Sequence, residues 1–280
     1  MKRRLTVGDA TVYILVSLIV LACILPFMHE IAKSFSHPNE VDAGRVGLFP
    51  RNCTFGNYLY FYRKQALPLL RSFGITIFIT VVGTAWSLLI SSLMAYPLSR
   101  PRSEFAFGPV LMGLVIFSMV FMPPIIPYFL AIKSYGLMDS LWAIILPHSI
   151  IPFHMIILVT FFRGMPAELI DSCKIDGAGP LQILYRMVLP LSTAALATIG
   201  IFTAIILWNI FLNAILFIQT PEKVPLQIFM RSIFAGGGDV QRRTLLDLDF
   251  FSEAESMKSA LVILTTLPIA LIYPFLQRFS

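Results

Sequence analysis

The sequence predicts an all-α integral membrane protein with six transmembrane helices. The chain is 57% hydrophobic and only 13% charged, and its mean hydropathy is +0.81. These values are far too apolar for an average soluble domain. The apolar residues are gathered into six runs of membrane-spanning length, and the loops between the runs alternate in positive charge. Length, composition and charge therefore agree on the same class.

The six runs follow one another along a single transmembrane domain, residues 1–280. About twenty apolar residues cross a hydrocarbon core roughly 30 Å thick, and each run meets this length. We expect the first to close at Pro26, and the third contains Pro123, Pro124 and Pro127, which membrane helices tolerate where neighbours satisfy the freed carbonyls. The predicted spans are residues 11–28, 72–98, 108–132, 141–162, 193–218 and 257–275.

Positive charge predicts the orientation of the chain. Basic residues precede the first span, lie between the second and third, and recur between the fourth and fifth, at Lys2, Arg3, Arg4, Arg100, Arg102, Arg163, Lys174 and Arg186. This pattern places both termini and the loop 163–192 in the cytoplasm. The net charge of +6 is therefore an orientation signal, and we expect no nucleic-acid partner.

The stretch from Pro166 to Pro190 is a polar interruption between two apolar runs. Its five charged residues exclude it from the bilayer, because one central charge already costs about 2.5–3.5 kcal/mol. Pro166 suits the start of a helix, and Gly177 suits the left-handed residue that ends one. Leu181, Leu184, Tyr185 and Val188 then recur at helical spacing. We predict two short helices joined at a glycine, the first from about Pro166 to Asp176.

This stretch resembles the cytoplasmic coupling loop of binding-protein-dependent ABC importer permeases, whose pattern is E-A-A, three residues, G, nine residues, I-x-L-P. Here the triplet is Asp171-Ser172-Cys173, Gly177 follows after three residues, Met187 after nine more, and Leu189-Pro190 close the pattern. Asp176-Gly177-Ala178 matches the D-G-A common in sugar permeases. The departures are Asp for Glu, Ser-Cys for Ala-Ala and Met for Ile, which keep the charge or the small size.

Three further stretches resemble permeases of the carbohydrate-uptake branch: Trp208-Asn209-x-Phe211, Val224-Pro225-Leu226 and the terminal Tyr273-Pro274-Phe275-Leu276-Gln277. The last is similar to a subgroup that handles larger, sometimes uronic-acid-containing, oligosaccharides. The resemblance implies the type I ABC importer permease fold in the bacterial cytoplasmic (inner) membrane. It also implies a sugar or oligosaccharide as substrate.

The resemblance implies partners and a division of labour. Two cytoplasmic ATPase subunits would bind ATP and Mg, so this chain would carry no cofactor and catalyse no reaction. A second, homologous permease subunit would complete a heterodimer within membrane lipid, and an extracytoplasmic binding protein would deliver the sugar. The ATPase-coupling residues would be Glu168, Asp171, Ser172, Cys173, Asp176, Gly177, Ala178, Leu189 and Pro190.

Trp208, Asn209 and Asn213 are the candidate substrate path. Asn209 and Asn213 are four residues apart in the predicted fifth span, which would place them on one helix face beside the indole. Aromatic rings and side-chain amides commonly hold sugars, and a buried amide is costly unless it faces protein or water. The alternative is that both asparagines join helices at the interface with the second permease.

Other functional classes lack their chemistry here. Gly236-Gly237-Gly238-Asp239 is not followed by Gly-Lys-Ser/Thr, so it is not a phosphate loop. His148 and His154 are six residues apart without a nearby acid, which favours hydrogen-bonded interior residues over a metal site. An ion-coupled secondary transporter usually needs an intramembrane acid, and a membrane-embedded enzyme needs a reactive cluster. Both alternatives, and a permease for another solute class, remain open at this stage.

Overall fold

The computed structural model describes residues 7–121, 123–234 and 255–276, and the part it describes is helical without strands. Lys2, Arg3 and Arg4 and the glycine run 236–238 lie outside these ranges. The helices are α1 (Val7–Ser34), α2 (Pro38–Asp42), α3 (Gly56–Tyr60), α4 (Ala66–Ser99), α5 (Gly108–Val120), α6 (Ile125–Ser134), α7 (Trp142–Ile145), α8 (Pro152–Arg163), α9 (Ala167–Ile175), α10 (Pro180–Ile183), α11 (Leu189–Leu191), α12 (Thr193–Trp208), α13 (Leu212–Phe217), α14 (Leu226–Phe234) and α15 (Glu255–Leu276).

Short turns of other helical types connect several of these elements. One π-helical turn, Phe61–Gln65, precedes α4, and another, Leu184–Val188, joins α10 to α11. Two 3₁₀ turns, Leu146–His148 and Pro221–Lys223, follow α7 and α13. Backbone contacts divide the chain into two compact units, residues 1–69 with 229–272, and residues 70–228 with 273–280.

In the first unit, polar side chains connect the end of α1 to the start of α15. Asn57 donates from Nδ2 to the carbonyl of Ser34 at 2.9 Å and accepts from Ser256 through Oδ1 at 3.3 Å. Ser259 donates to a carboxylate oxygen of Glu30 at 2.6 Å. Asn57 is buried, so these hydrogen bonds satisfy an amide that would otherwise be costly.

The second unit holds a large apolar core shared by α4, α5, α8, α12 and the polar stretch. Its fully buried members include Met155, Leu158 and Phe162 of α8, together with Val188 and Ile199. The polar stretch is therefore packed on the body of this unit along one side. That packing is what fixes the position of α9.

Two single helices are long and apolar enough to cross a membrane, Thr11–Ser34 and Ala66–Ser99. Two bent pairs qualify if each pair counts as one span, Trp142–His148 with Pro152–Arg163 at 44° and Pro180–Leu191 with Thr193–Trp208 at 82°. Gly108–Val120 and Ile125–Ser134 are shorter apolar helices. The number of spans, six, therefore stays a prediction.

Proline acts differently in the first and third predicted spans. Helix α1 continues through Pro26 to Ser34, so this proline does not end the helix. The end of the first span at Pro26 stays a prediction. In the third span, α5 ends at Val120 and α6 begins after Pro124. Consecutive prolines remove successive amide donors and restrict the preceding residues, whereas a single proline removes one. The third span is accordingly two helices.

Helices α4 and α12 approach each other closely at two glycines. A Cβ on Gly83 would lie 2.6 Å from a methyl carbon of Leu207, and one on Gly200 would lie 3.3 Å from a methyl carbon of Leu88. Small residues let membrane helices approach closely enough for dispersion contacts to hold them together. A side chain at Gly83 would force Leu207 to move, whereas one at Gly200 would require a shift of only a few tenths of an ångström.

Candidate coupling site and transport path

Helix α9 ends at a left-handed glycine, as the sequence predicts. Gly177 has a φ of 79° and donates its amide to the carbonyl of Lys174 at 3.0 Å, while Ala178 donates to Cys173 at 3.0 Å. These two bonds form the Schellman motif, which satisfies carbonyls that a helix end leaves without partners. The predicted helix from about Pro166 to Asp176 is observed as Ala167–Ile175, with Pro166 at the position before its first residue.

One side of α9 is anchored to the core. Ile170 is buried within the core cluster, and Cys173 packs against the same cluster. The sulfur of Cys173 lies 3.2 Å from that of Met187, on the π-helical turn. Two of the departures from the coupling-loop pattern, Cys for Ala and Met for Ile, thus contact each other. Cys173 and Ala178 are both half-buried and pack on the core side of α9.

The other side of α9 is open and charged. Glu168, Asp171, Ser172 and Asp176 are exposed, as is Gly177. Glu168 lies in the first turn, where a carboxylate complements the positive end of the helix dipole. Large apolar side chains are exposed on the same stretch, at Leu169 (44%), Ile175 (86%), Leu181 (66%) and Tyr185 (56%). Exposed apolar groups rimmed by charge are typical of a docking surface.

In the second half of the polar stretch, the buried residues are not the set that the helical spacing predicted. Leu184 and Val188 are buried, but Leu181 and Tyr185 are exposed and Ile183 is buried instead. The π-helical turn Leu184–Val188 is the physical reason, because its extra residue per turn shifts which side chains face inward.

Leu189 and Pro190 lie at the sharp corner into α12. The two helical segments that meet here are bent by 82°. Buried Ser192 donates its hydroxyl to the carbonyl of Val188 at 2.6 Å, and Thr193 donates to the carbonyl of Pro190 at 2.6 Å. Side-chain hydroxyls thus bond the carbonyls on either side of the corner. The end of the motif therefore positions α12 against the coupling stretch.

Two arginines exchange hydrogen bonds between the ends of α4 and α8. Arg100 donates from Nη2 to the carbonyl of Phe162 at 3.3 Å, and Arg163 donates from Nη2 to the carbonyl of Leu98 at 3.0 Å. A guanidinium at a helix C-terminus satisfies a free carbonyl and complements the dipole. In the sequence, both arginines were interpreted only as orientation signals, and this reciprocal pair of hydrogen bonds was not predicted.

A salt bridge adds the loop before α5 to this assembly. Nζ of Lys174 lies 2.7 Å from a carboxylate oxygen of Glu104 and 3.6 Å from one of Asp171. The hydrogen bond that Lys174 donates to Glu104 raises the pKa of Lys174, which stays charged throughout the physiological range. Because 70 residues separate Lys174 from Glu104, no local pattern pointed to the pair.

The candidate path residues do not share one helix face, so that expectation is wrong. Helix α12 ends at Trp208, Asn209 is its cap residue with φ −90° and ψ 12°, and α13 begins only at Leu212. The chain therefore turns between the two asparagines. Asn209 donates to the carbonyl of Ile205 at 2.9 Å, as an amide does when it closes a helix end.

Each asparagine has its own surroundings. The side-chain amide of Gln227, which sequence reasoning missed, lies 3.5 Å from Oδ1 of Asn209 and 3.4 Å from the carbonyl of Trp208. Asn213 donates to the hydroxyl of Tyr128 on α6 at 2.9 Å. Trp208 and Asn209 thus stay together, and Asn213 joins a separate contact within the same chain.

A carboxylate clasp joins the loop after α6 to the segment after α13. Asp139, at a φ of 57°, accepts hydrogen bonds from the amides of Gln219 and Thr220, from the hydroxyl of Thr220 and from the ammonium of Lys223. Burial opposes ionisation of this carboxyl, but the hydrogen bonds from Thr220 and Lys223 outweigh it and hold the pKa of Asp139 well below its usual value. The sequence pattern did not single out this acid.

The two histidines are hydrogen-bonded, as predicted. Nδ1 of His148 lies 2.8 Å from the carbonyl of Ile144, and Nδ1 of His154 lies 3.1 Å from the hydroxyl of Thr203. Among the residues with described positions, no group of three metal-ligating side chains comes together.

Comparison with known proteins gives the family. The family model for the binding-protein-dependent transport system inner membrane component matches residues 87–280. The polygalacturonan/rhamnogalacturonan transport system permease protein YtcP of Bacillus subtilis (strain 168) is 40% identical over 280 residues, 99% of this chain and 96% of that protein. Protein LplC of the same strain is 40% identical over 261 residues, 91% of this chain and 85% of that protein.

A solved structure agrees with these relatives. The chain resembles a chain in the crystal structure of a bacterial ABC transporter involved in the import of the acidic polysaccharide alginate, with a TM-score of 0.86 and 28% identity. The similarity covers 99% of this chain and 98% of that chain. Fold and sequence together define a membrane permease of an ABC importer. The chain belongs to the family of binding-protein-dependent transport system inner membrane components.

Proposed function

We propose that this chain forms the membrane path of an ATP-driven importer for oligosaccharides that contain uronic acids. The observation that carries the proposal is agreement between two relatives of almost full coverage. One is named for polygalacturonan and rhamnogalacturonan transport, and the other is a chain of an ABC transporter involved in the import of the acidic polysaccharide alginate. Both substrates are carbohydrates with carboxylates along the chain, and this shared chemistry defines the proposed substrate class.

The proposed energy source lies outside the chain. Two cytoplasmic ATPase subunits would bind ATP and Mg, and one would dock on the exposed side of α9. Glu168, Asp171, Ser172 and Asp176 would contact it, with the exposed apolar side chains between them. Cys173, Gly177, Ala178, Leu189 and Pro190 would hold the docking surface in place. This arrangement requires both termini and residues 163–192 to be cytoplasmic.

The mechanism requires a difference in contact between two states. When nucleotide closes the ATPase subunits, they must fit one conformation of the permease better than the other. Helix α9 is packed on α8 and linked by Lys174 to the loop that follows α4. Displacement of α9 would therefore be transmitted to the apolar helices as rotation of packed elements. A second permease subunit would complete the path, and a binding protein would deliver the substrate from outside.

Substrate selectivity tests the proposed function directly. The complete transporter is reconstituted with its binding protein, and ATP hydrolysis is measured with oligogalacturonate and with a neutral oligosaccharide of equal length. We expect oligogalacturonate to stimulate hydrolysis at least tenfold more strongly than the neutral sugar. Equal or stronger stimulation by the neutral oligosaccharide would refute the substrate class.

A separate experiment tests the docking surface. Ile175 is 86% exposed, so Ile175→Glu should leave the fold intact while placing a charge in the proposed interface. We expect the ATPase subunits to dissociate during purification of this variant. Tyr135→Glu is the matched control, because this residue is 77% exposed on the predicted opposite side of the membrane. Retention of the ATPase subunits by both variants would exclude α9 as the docking element.

A further inference from the structure

A cleft at the shared end of α4, α5 and α8 combines positive charge with an apolar wall. It has a volume of about 570 Å³, within the range of about 300–1,000 Å³ typical of ligand sites. Arg100, Arg102 and Arg163 line its mouth, and Met112, Gly113 and Ile116 of α5 line its side. This surface lies beside the proposed coupling site, and the function proposed above assigns no ligand to it.

The three guanidinium groups have no carboxylate partner within the part of the chain described. The ion pairs found there involve Lys33, Arg45, Lys174 and Lys223, and none of the three arginines. Arg100 donates from Nε and Nη2 to the hydroxyl of Ser99 and from Nη2 to the carbonyl of Phe162, and its guanidinium lies 5.1 Å from the centre of the Tyr96 ring. Arg163 donates from Nη2 to the carbonyl of Leu98. Among the described residues, these contacts leave Nη1 of each guanidinium available to an anion. Arg102 is exposed. The cleft therefore concentrates positive charge without internal compensation, and an anion would complement it.

The wall of the cleft continues along α5 into the predicted third span. From Gly108 to Ile116 the helix rises about 12 Å at 1.5 Å per residue. The surface beside this wall is apolar and exposed, with Ile116 at 48% and Phe117 at 56%. A Cβ built on Gly113 meets nothing within 4 Å, so the wall has open space at this point. The cleft is thus lined by guanidinium groups at its mouth and by apolar side chains further along α5. A phospholipid has the matching order, with a phosphate at one end and acyl chains next to it.

We infer that this cleft binds one anionic phospholipid of the cytoplasmic leaflet, with its phosphate at the arginines and an acyl chain along α5. An acidic segment of a partner protein would match the charge but not the apolar wall inside the predicted span. A free phosphate would likewise leave the wall unused. The inference shares one assumption with the proposed function, namely the topology that puts this end of the helices at the cytoplasmic surface, where anionic lipids are found.

The test is native mass spectrometry of the complete purified transporter, titrated with phosphatidylglycerol or with phosphatidylcholine of the same acyl chains. We expect the first phosphatidylglycerol to bind at least tenfold more tightly than phosphatidylcholine. Arg102→Gln should weaken its binding roughly fivefold, since one basic side chain near an anionic surface contributes about 1 kcal/mol. Arg102→Lys should retain most of the affinity. Arg186→Gln, which removes an exposed charge on the same predicted side but outside the cleft, should change nothing.

A separate variant tests whether an acyl chain lies along α5. Gly113→Leu fills the open space at the wall, and it should weaken phosphatidylglycerol binding at least threefold without disturbing the arginines. Glycerol 3-phosphate, the headgroup without chains, should need at least a hundredfold higher concentration to compete.

Three results would overturn the inference. The first is unchanged lipid binding by Arg102→Gln, and the second is equal affinity for the two lipids. The third is loss of the ATPase subunits from Arg102→Gln with lipid binding intact, which would assign the cleft to a protein partner. Substrate-stimulated hydrolysis is measured on the same samples. Failure of the lipid site is therefore distinguishable from failure of the transport function.

Discussion

Replacing Gly177 by valine isolates the role of the left-handed residue that ends α9. Glycine occupies a φ of 79° without steric cost, whereas a residue with a Cβ pays roughly 1–2 kcal/mol there. A Cβ at this position meets nothing within 4 Å, so the cost comes from the backbone alone. A change of this size alters a local equilibrium roughly 5–30-fold. The state without the two Schellman hydrogen bonds should therefore become roughly 5–30-fold more populated relative to the closed turn.

The expected result is uncoupling with the protein still inserted. Because the strain is confined to the turn after α9, Gly177→Val should reach the membrane in normal amounts and assemble with its partners. Uptake should fall at least fivefold, since α9 no longer presents one fixed orientation. The measurement is substrate uptake into proteoliposomes, with substrate-stimulated hydrolysis of ATP measured in parallel.

Two variants control for volume and for the type of side chain. Gly179 lies two residues further on at a φ of −73°, and a Cβ there also meets nothing within 4 Å. Gly179→Val should therefore transport normally. Gly177→Asn should recover much of the activity, because asparagine tolerates the left-handed region. If Gly177→Val and Gly179→Val transport equally well, the conformation of Gly177 has no role in coupling.

Three further substitutions test contacts outside the coupling site. Asp139→Asn should lower stability by about 2 kcal/mol, because charge-assisted hydrogen bonds are lost. The difference in Tm from wild type should shrink progressively as pH falls from the ordinary pKa of 3.8 towards the lowered pKa of Asp139 in the folded state, since the stabilisation is lost over that interval. Gly83→Ala should lower Tm, because its Cβ would lie 2.6 Å from a leucine methyl of α12, whereas Gly74→Ala on the same helix should not. Asn213→Ala and Tyr128→Phe both remove the hydrogen bond between these two side chains. If this bond positions the transport path, the two variants should alter uptake equally while the complex stays intact. Loss of the second permease subunit on purification would instead assign Asn213 to the interface with that subunit.

Features set by neighbouring residues were predictable from the sequence. The apolar composition indicated a helical membrane protein, and the charged stretch with Pro166 and Gly177 indicated a short helix with a defined end. The cause is local in each case, because a glycine at positive φ or a charge excluded from lipid needs no distant partner.

Features set by distant residues were not predictable. Asn213 contacts Tyr128 across 85 positions, and Lys174 contacts Glu104 across 70. One sequence contains no signal for such pairs, since any exposed lysine and glutamate look alike before folding. The break after Trp208 was missed for a related reason. No proline or glycine marks it, and the ends of α12 and α13 are set by packing and by the amide of Asn209.

The proposed coupling site gains its rigidity from links between different helices. Arg100 and Arg163 join the ends of α4 and α8, and Lys174 joins α9 to the loop that begins at Arg100. The salt bridge of Lys174 is exposed and exchanges readily with water, whereas the arginine bonds satisfy helix carbonyls at the edge of the buried core. The arginines therefore define the orientation of the helix ends, and the core contact of Ile170 fixes α9 against them. A partner that pushes on α9 would meet a connected body of helices, which is the mechanical condition for converting closure of an ATPase into movement of a membrane path.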